Sequence, residues 1–232
     1  MEKQVRHVGI IMDGNRRWAK QRMLKTKDGH ERGAYNFIEA TKWCLKENIP
    51  YLTLYAFSTE NWNRSEEEIE GICSIFLKFV AEELEALIKN DIRIVHVGDT
   101  SRIAPKYMEA IRKAEKLTEK GKRLFVQVAF SYGGRDEIVR AVRSYAKEVA
   151  DGREDPAALS EEKFESYMDT AGVPDMDLVI RTGGAHRLSN FFPWQTTYAE
   201  LWFTDVLWPD FTYEGFKDAL AFYDATQINH GK

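Results

Sequence analysis

Apolar residues fall into six short runs, at residues 8–12, 51–57, 92–97, 124–130, 178–180 and 199–203, with segments of helical periodicity between most of them. The runs are rich in β-branched and aromatic residues and read as nearly unbroken rather than alternating, as strands buried on both faces do. Strand–helix alternation then predicts one α/β domain over residues 1–232, with six strands in a single, mostly parallel sheet flanked by helices. The longest helix starts after Ser65, which can N-cap while Glu68 closes a capping box. Its apolar positions are Ile69, Ile72, Cys73, Phe76, Leu77, Phe79, Val80, Leu84, Leu87 and Ile88. That stripe is wider than a surface helix needs. Either the helix packs heavily on the core, or part of the stripe lines an apolar cavity. Residues 150–160 (ADGREDPAALS) read as a loop inside the domain rather than a boundary.

Composition changes this picture little. The chain has 232 residues, 44% hydrophobic and 30% charged, with a formal net charge of −4, which gives no basic footprint for nucleic acid. Its two cysteines, Cys44 and Cys73, sit in apolar helical patterns and read as buried thiols of a reducing compartment, with no CxxC spacing. No apolar run approaches the ~20 residues of a membrane span, and the N-terminus lacks a signal-peptide h-region. A cytoplasmic protein is expected, free to touch a membrane surface.

The chemistry gathers where the apolar runs end. Ligands of parallel sheets bind outside the carboxyl ends of the strands, and four of the six runs finish there in anion-compatible residues. The first gives VGIIMDGNRRWA, with Asp13, Gly14, Asn15, Arg16 and Arg17 between a strand and a helix. Glycine lets the backbone approach an anion, a helix N-terminus offers N–H donors, and Arg17 can bind bidentately. Asp13 then suits Mg²⁺, which takes one or two carboxylates and completes its shell with water and phosphate oxygens. D-G-N is equally a common turn, and Asp13 with Arg17 a plain salt bridge. The second stretch, STENWNR, offers Ser58, Asn61 and Arg64 as donors, with Trp62 as a wall or simply as packing. The third, SYGGRDE, carries Gly133 and Gly134 into the next helix. The fourth, DLVIRTGGAHRLSNF, combines Arg181, Arg187 and Ser189 with two glycines and with His186, a candidate for metal or phosphate contact. No Walker A loop exists. Two anion cradles beside an apolar helix stripe suggest two phosphorylated substrates and a greasy tail; a generic phosphate hydrolase would also use strand-end anion sites.

These stretches, with GHERG, WQTTYAELWF and LWPDF, occur in an order that resembles the cis-prenyltransferases, most closely the bacterial undecaprenyl diphosphate synthase type. The likeness spans nearly the whole chain, and no DDxxD motif of the all-helical trans-prenyltransferases is present. The resemblance implies a homodimer of α/β subunits, each with an apolar tunnel between helices and sheet. It implies repeated condensation of isopentenyl diphosphate onto an allylic diphosphate, usually farnesyl diphosphate, with cis double bonds and Mg²⁺. Carried over by position, Asp13 is the essential carboxylate that steers Mg²⁺. Gly14, Asn15, Arg16 and Arg17, with His30 and Arg64, cradle the allylic diphosphate, and Ser58, Asn61 and Trp62 flank the reacting centre. Arg181, Arg187 and Ser189 hold the isopentenyl diphosphate, His186 and Glu200 complete the metal site, and Ala56 and Leu124 shape the tunnel and its floor.

The chain departs from the family pattern in places. Ala185 stands where glutamate is usual, Ser131 for asparagine, Ser65 for proline and Thr26 for arginine, and the ending DATQINHGK lacks the arginine-rich tail. Two rivals keep the fold: a short-chain or head-to-middle (lavandulyl-type) coupling enzyme, and a catalytically silent partner subunit. Asp13 and both arginine cradles are present, which argues against the silent partner.

Overall fold

The computed structural model describes residues 4–226, so most of the divergent tail lies outside the described residues. Six strands form one sheet: β1 (His7–Ile11), β2 (Tyr51–Ser58), β3 (Ile92–Val97), β4 (Leu124–Tyr132), β5 (Leu178–Arg181) and β6 (Glu200–Phe203). Their spatial order is β3-β4-β2-β1-β5-β6, and every pairing is parallel. Seven α-helices accompany them among the described residues: α1 (Asn15–Gln21), α2 (Thr26–Lys46), α3 (Glu66–Lys89), α4 (Pro105–Thr118), α5 (Gly134–Ala150), α6 (Glu161–Glu165) and α7 (Tyr213–Ala225).

Because side chains alternate across a strand, the sheet has two distinct faces. Val8, Ile10, Leu52, Leu54, Val126 and Val128 face α2, α3 and α7, joining Phe37, Trp43, Leu87 and Phe216 in the main core. Ile11, Ala129 and Val179 face the other way, onto Met176, Phe191 and Phe192. The chain leaves β1 across the first face and β5 across the second. The carboxyl ends of these two adjacent strands therefore flank a topological switch point, where open α/β sheets bind ligands.

Helix α3 resolves the two readings of its wide stripe. Among the described side chains of the stripe only Cys73 and Leu87 are buried, Ile88 is exposed, and Ile72, Phe76 and Phe79 pack against the core with one side and line a cavity with another. The N-cap is half as expected. Ser65 Oγ accepts the Glu68 N–H at 3.4 Å, but the Glu68 carboxylate turns away to Arg64, so no reciprocal box closes. The glycines of SYGGRDE also serve differently from a tight turn. A Cβ on Gly133 would lie 2.4 Å from Thr59 Oγ1 and one on Gly134 2.0 Å from Pro193 Cδ, so both allow close packing.

A polar ladder crosses the second face. His7 Nδ1 bonds the Pro174 carbonyl at 2.7 Å, His7 Nε2 bonds Thr53 Oγ1 at 2.8 Å, and Thr53 Oγ1 donates to Gln127 Oε1 at 2.8 Å. Burial pushes the His7 pKa down to about 4, against the pull of the Pro174 carbonyl and Asp177. The unfolded chain takes this proton near pH ~6.5, the folded chain only near 4. Stability held above pH ~6.5 is therefore lost as the pH falls toward 4, by about 2 kcal/mol at pH 5 for this group. Urea unfolding of the parent and of His7→Gln at both pH values checks it: the variant should lose that share of the slope.

Candidate active site

Asp13 follows β1 by two residues, and each of its carboxylate oxygens accepts from a different arginine. Oδ1 takes Arg17 Nη2 at 3.0 Å, from the first turn of α1, and Oδ2 takes Arg181 Nη2 at 3.0 Å, from the end of β5. The Arg17 side chain is 51% exposed and that of Arg181 only 5%. An exposed ion pair of this kind contributes under ~1 kcal/mol, but Arg17 Nη1 also donates to the Gly183 carbonyl at 2.6 Å, so both arginines are anchored, Arg181 the more deeply. Arg181 Nη1 also donates to Ser189 Oγ at 2.8 Å and to the Arg187 carbonyl. The Asp13 backbone is clamped too: its N–H donates to Thr182 Oγ1 at 3.1 Å, and its carbonyl accepts from Thr182 Oγ1 at 2.8 Å and from the Trp208 N–H at 3.0 Å.

The loop after β5 is shaped by left-handed backbone. Gly183 (φ 82°) and Gly184 (φ 75°) turn back onto residues 204–206, and a Cβ on Gly183 would meet Arg17 Nη2 at 2.5 Å and the Asp13 carbonyl oxygen at 2.9 Å. Ser189, Asn190 and Phe192 also have positive φ, a cost that clusters at functional sites. Ser131 (φ 58°) is a similar case at the end of β4. Asparagine tolerates this conformation; the serine in its place keeps an oxygen that accepts the Trp62 Nε1–H at 2.9 Å.

Helices α1 and α2 meet through GHERG. A Cβ on Gly29 would lie 2.2 Å from the Asn15 carbonyl oxygen and one on Gly33 2.4 Å from Asn15 Oδ1, so glycine at i and i+4 seats the start of α1 on α2. Beside it, the Glu68 carboxylate lies 2.8 Å from Arg64 Nη1, 3.8 Å from Arg16 Nε and 3.7 Å from His30 Nε2. Burial, aided by Arg64 and Arg16, holds the His30 pKa down at about 4, which outweighs the opposing pull of Glu68. His30 is therefore neutral near pH 7. Three buried polar atoms here have no hydrogen-bond partner: Asn15 Oδ1, His30 Nε2 and Arg181 Nε. Such groups are costly to leave unpaired, which marks a place built to meet a polar ligand.

These residues enclose two polar lobes and one apolar chamber. The first lobe, about 630 Å³, is lined by Gly14, Arg16, Arg17, Lys20, Leu24 and Thr26. The second, about 690 Å³, is lined by Tyr55, Ala56, Ser58, Glu60, Asn61, Ile72, Arg181, Arg187, Ser189 and Asn190. Both lobes share Met12, Asp13, Asn15, His30 and Arg64. The chamber, about 90 Å³, opens beside Met12, Asn15 and His30 and runs between the α2 positions Gly33, Ala34 and Phe37 and the α3 positions Ile72, Ile75, Phe76 and Phe79. Small residues on one helix face bulky ones on the other.

Most of the expected residues are thus brought together, and some are not. Ala56 is the extra residue of a bulge in β2, between the Tyr55 and Phe57 pairings, which turns it toward both the second lobe and the chamber. Leu124 pairs with Ile92 in the core and lines none of these spaces. Trp62 lies outside the lobes, edge-on to Phe57 at 4.9 Å. Asn61 caps its own turn, Oδ1 accepting from the Ser58 N–H at 3.1 Å. Asp13, His186 and Glu200 are not assembled within one chain. His186 stacks on Phe203 at 5.0 Å, at the carboxyl end of β6, whereas Glu200 opens β6 opposite Leu178, which pairs with Val8. At ~3.3 Å per residue it is at least ~10 Å down the sheet from the Asp13 end. No cluster of three metal-ligating side chains exists among the described residues. Met12, Thr182 and the ion-pairing role of Glu68 escaped the sequence reading; only the Gly29–Gly33 spacing signalled the close α1–α2 contact.

Two cationic lobes at a switch point, meeting a greasy chamber, define an enzyme for substrates with a phosphorylated head and an apolar tail. The comparisons agree. A family model described as "Putative undecaprenyl diphosphate synthase" matches residues 11–231, and the chain belongs to that family. It is 45% identical to the ditrans,polycis-undecaprenyl-diphosphate synthase, (2E,6E)-farnesyl-diphosphate specific, of Yersinia pseudotuberculosis, over 93% of this chain and 85% of that one. It is 40% identical to the isoprenyl transferase of Clostridium perfringens, over 96% and 88%. Among solved structures, the lavandulyl diphosphate synthase of Lavandula x intermedia in complex with dimethylallyl diphosphate superposes with a TM-score of 0.96 at 36% identity, covering 99% of both chains. A probable undecaprenyl diphosphate synthase from Campylobacter jejuni gives 0.82 at 35% identity, covering 99% of this chain and 100% of that one.

Proposed function

We propose that this chain is a Mg²⁺-dependent cis-prenyltransferase that condenses isopentenyl diphosphate repeatedly onto an allylic diphosphate, farnesyl diphosphate by preference, to give a long polyprenyl diphosphate such as undecaprenyl diphosphate. The observation that carries this reading is the convergence of both lobes and the chamber on Met12, Asn15 and His30. One lobe takes the allylic diphosphate on Arg16, Arg17 and the α1 N-terminus, with its prenyl chain in the chamber. The other takes isopentenyl diphosphate on Arg181, Arg187 and Ser189. Two anchored heads hold two mobile chains in reacting geometry.

The donor set fits magnesium with one protein carboxylate. Asp13 lies between the lobes, and substrate oxygens would supply the other positions. Bound there, the ion would stabilise charge on the departing diphosphate. The arginines add fixed positive charge as the allylic C–O bond breaks. The isopentenyl double bond then forms the new C–C bond, and the proton leaves to a diphosphate oxygen, positioned by Asn15 or Asn61. A homodimer and peripheral membrane contact belong to the same proposal. Exposed Met23 and half-exposed Leu24 beside the cleft, among Lys20, Lys25 and Lys27, support the membrane contact.

The 0.96 superposition favours a second reading, a short-chain or head-to-middle coupling enzyme. Incubation with farnesyl or dimethylallyl diphosphate, labelled isopentenyl diphosphate and Mg²⁺, with an EDTA control, separates them. A Mg²⁺-dependent ladder ending at undecaprenyl diphosphate is expected. A single short product would establish the second reading, and no incorporation at all would sink both.

A further inference from the structure

Among the described residues, the second lobe, proposed for isopentenyl diphosphate, is lined by two carboxylates, Asp13 and Glu60. Asp13 has its two arginines and a place beside the metal. No such role falls to Glu60, and a bare carboxylate repels a bound diphosphate. Its hydrogen bonds show what it does instead. Glu60 Oε1 accepts from Asn190 Nδ2 at 3.0 Å, and Oε2 accepts from Thr59 Oγ1 at 3.2 Å. Burial pushes its pKa up, but hydrogen bonds from its own backbone, Asn190, Ser58 and Thr59 hold it below the usual carboxylate range. Glu60 therefore stays ionised near neutral pH and is a poor proton acceptor.

Asn190 is the other half of the bond. It sits in left-handed backbone at φ 66°, directly after Ser189 at φ 50°, a conformation that asparagine tolerates. Its Oδ1 accepts the Arg135 N–H at 2.9 Å, and its carbonyl accepts the Gly134 N–H at 2.8 Å. These are opening N–H groups of α5, which have no partner inside the helix, and the N-cap residue Gly133 has no side chain to meet them. Asn190 caps α5 from a distant part of the chain. A Cβ on Gly133 would lie 2.9 Å from Asn190 Nδ2, so glycine there admits the amide. Both ends of that amide are engaged within the protein, and Glu60 fixes which end faces α5. Next to it, Ser189 Oγ and the Arg187 carbonyl both accept from Arg181 Nη1. Holding Asn190 therefore holds Ser189 and Arg187 against Arg181.

We propose that Glu60 and Asn190 are positioning residues for the isopentenyl diphosphate lobe: the carboxylate fixes the Asn190 amide, and Asn190 pins Ser189 and Arg187 to the start of α5. This rests on the prenyl-transfer reading. Glu60→Ala and Asn190→Ala should each raise the KM for isopentenyl diphosphate roughly tenfold, the scale of one lost hydrogen bond to a charged group. The KM for the allylic diphosphate should stay near that of the parent. Glu60→Gln keeps an acceptor oxygen and loses a repelling charge, so it should recover most of the lost affinity. Asn190→Asp sets two carboxylates face to face and should do as badly as alanine. Combining Glu60→Gln with Asn190→Asp exchanges donor for acceptor, and the pair should restore what Asn190→Asp alone loses.

Steady-state kinetics against each substrate gives the two KM values, and circular dichroism confirms that every variant is folded. Glu60 is exposed and Asn190 only half-buried, so these changes spare the core. Calorimetric titration with isopentenyl diphosphate alone, in Mg²⁺, reads the lobe without turnover. The expected result is a loss confined to isopentenyl diphosphate and recovered by Glu60→Gln and by the exchanged pair. Glu60→Gln as harmful as Glu60→Ala would show that the charge itself is needed and would overturn the assignment. Equal losses for both substrates, or no loss in either alanine variant, would overturn it too while leaving prenyl transfer intact. The expected pattern in calorimetry without any turnover would remove the transferase reading and uphold the positioning. A parent that neither turns over nor binds isopentenyl diphosphate would overturn both.

Discussion

Replacing Asp13 with alanine is expected to abolish prenyl transfer, lowering kcat by roughly a thousandfold or more, the scale on which a single group aimed at developing transition-state charge acts. Asp13 is the carboxylate that joins the two lobes, one oxygen facing Arg17 and the other Arg181. Its side chain is only partly buried, and the bonds that pin the turn to Thr182 and Trp208 are made by its backbone. The fold should therefore survive. Anion affinity should move the opposite way from turnover: in EDTA, inorganic diphosphate should bind Asp13→Ala at least as tightly as the parent, because two guanidiniums lose their shared counter-ion. Steady-state kinetics with calorimetric titration reads both. Parent-like turnover would remove Asp13 from the chemistry, and weaker metal-free binding would show that it organises the arginines rather than the metal.

The largest stability effect is expected at Trp208. This side chain is fully buried. Its Nε1–H donates to the Gly33 carbonyl at 2.8 Å, its backbone N–H to the Asp13 carbonyl at 3.0 Å, and its carbonyl accepts from Asn36 Nδ2 at 2.5 Å. One residue thus ties the turn after β1 to α2 and walls the apolar chamber. Trp208→Ala should cost about 3–5 kcal/mol and lower the melting temperature by roughly 10 °C for a chain of this size. Trp208→Phe keeps most of the volume and removes only the indole donor to a Gly33 carbonyl that stays in the α2 ladder, so about 0.5–1.5 kcal/mol should be lost. A melting temperature unchanged in the alanine variant would mean that the neighbouring segments close around the vacancy, contrary to the packing seen here.

Much of the architecture was legible because parallel strands announce themselves. A strand covered on both faces is apolar at nearly every position, and five of the six runs matched β1 to β5 to within two residues at either end. Short β6 was also found, although only Glu200–Phe203 is paired. The anion residues were legible because their stretches begin at the carboxyl ends of β1, β2 and β5, which puts them near that edge whatever the strand order. Glu200 shows the limit of that logic. It opens its strand, and direction along a parallel strand places it at the other edge, so following the segment that holds His186 did not bring the two together.

Local order along the chain determined the helices, the strands, the strand-end arginines, and Gly29 and Gly33 at helical spacing. These depend on periodicities of two and 3.6 residues and on the backbone freedom of glycine, all of which are written into neighbouring positions. Only the tertiary structure decided that Asp13 is shared by arginines from β5 and α1, that Glu68 serves Arg64 and Arg16 instead of its own helix cap, and that Phe37 meets Phe79. Each of these joins side chains across a space whose width is set by sheet order and helix packing. No local pattern encodes that distance.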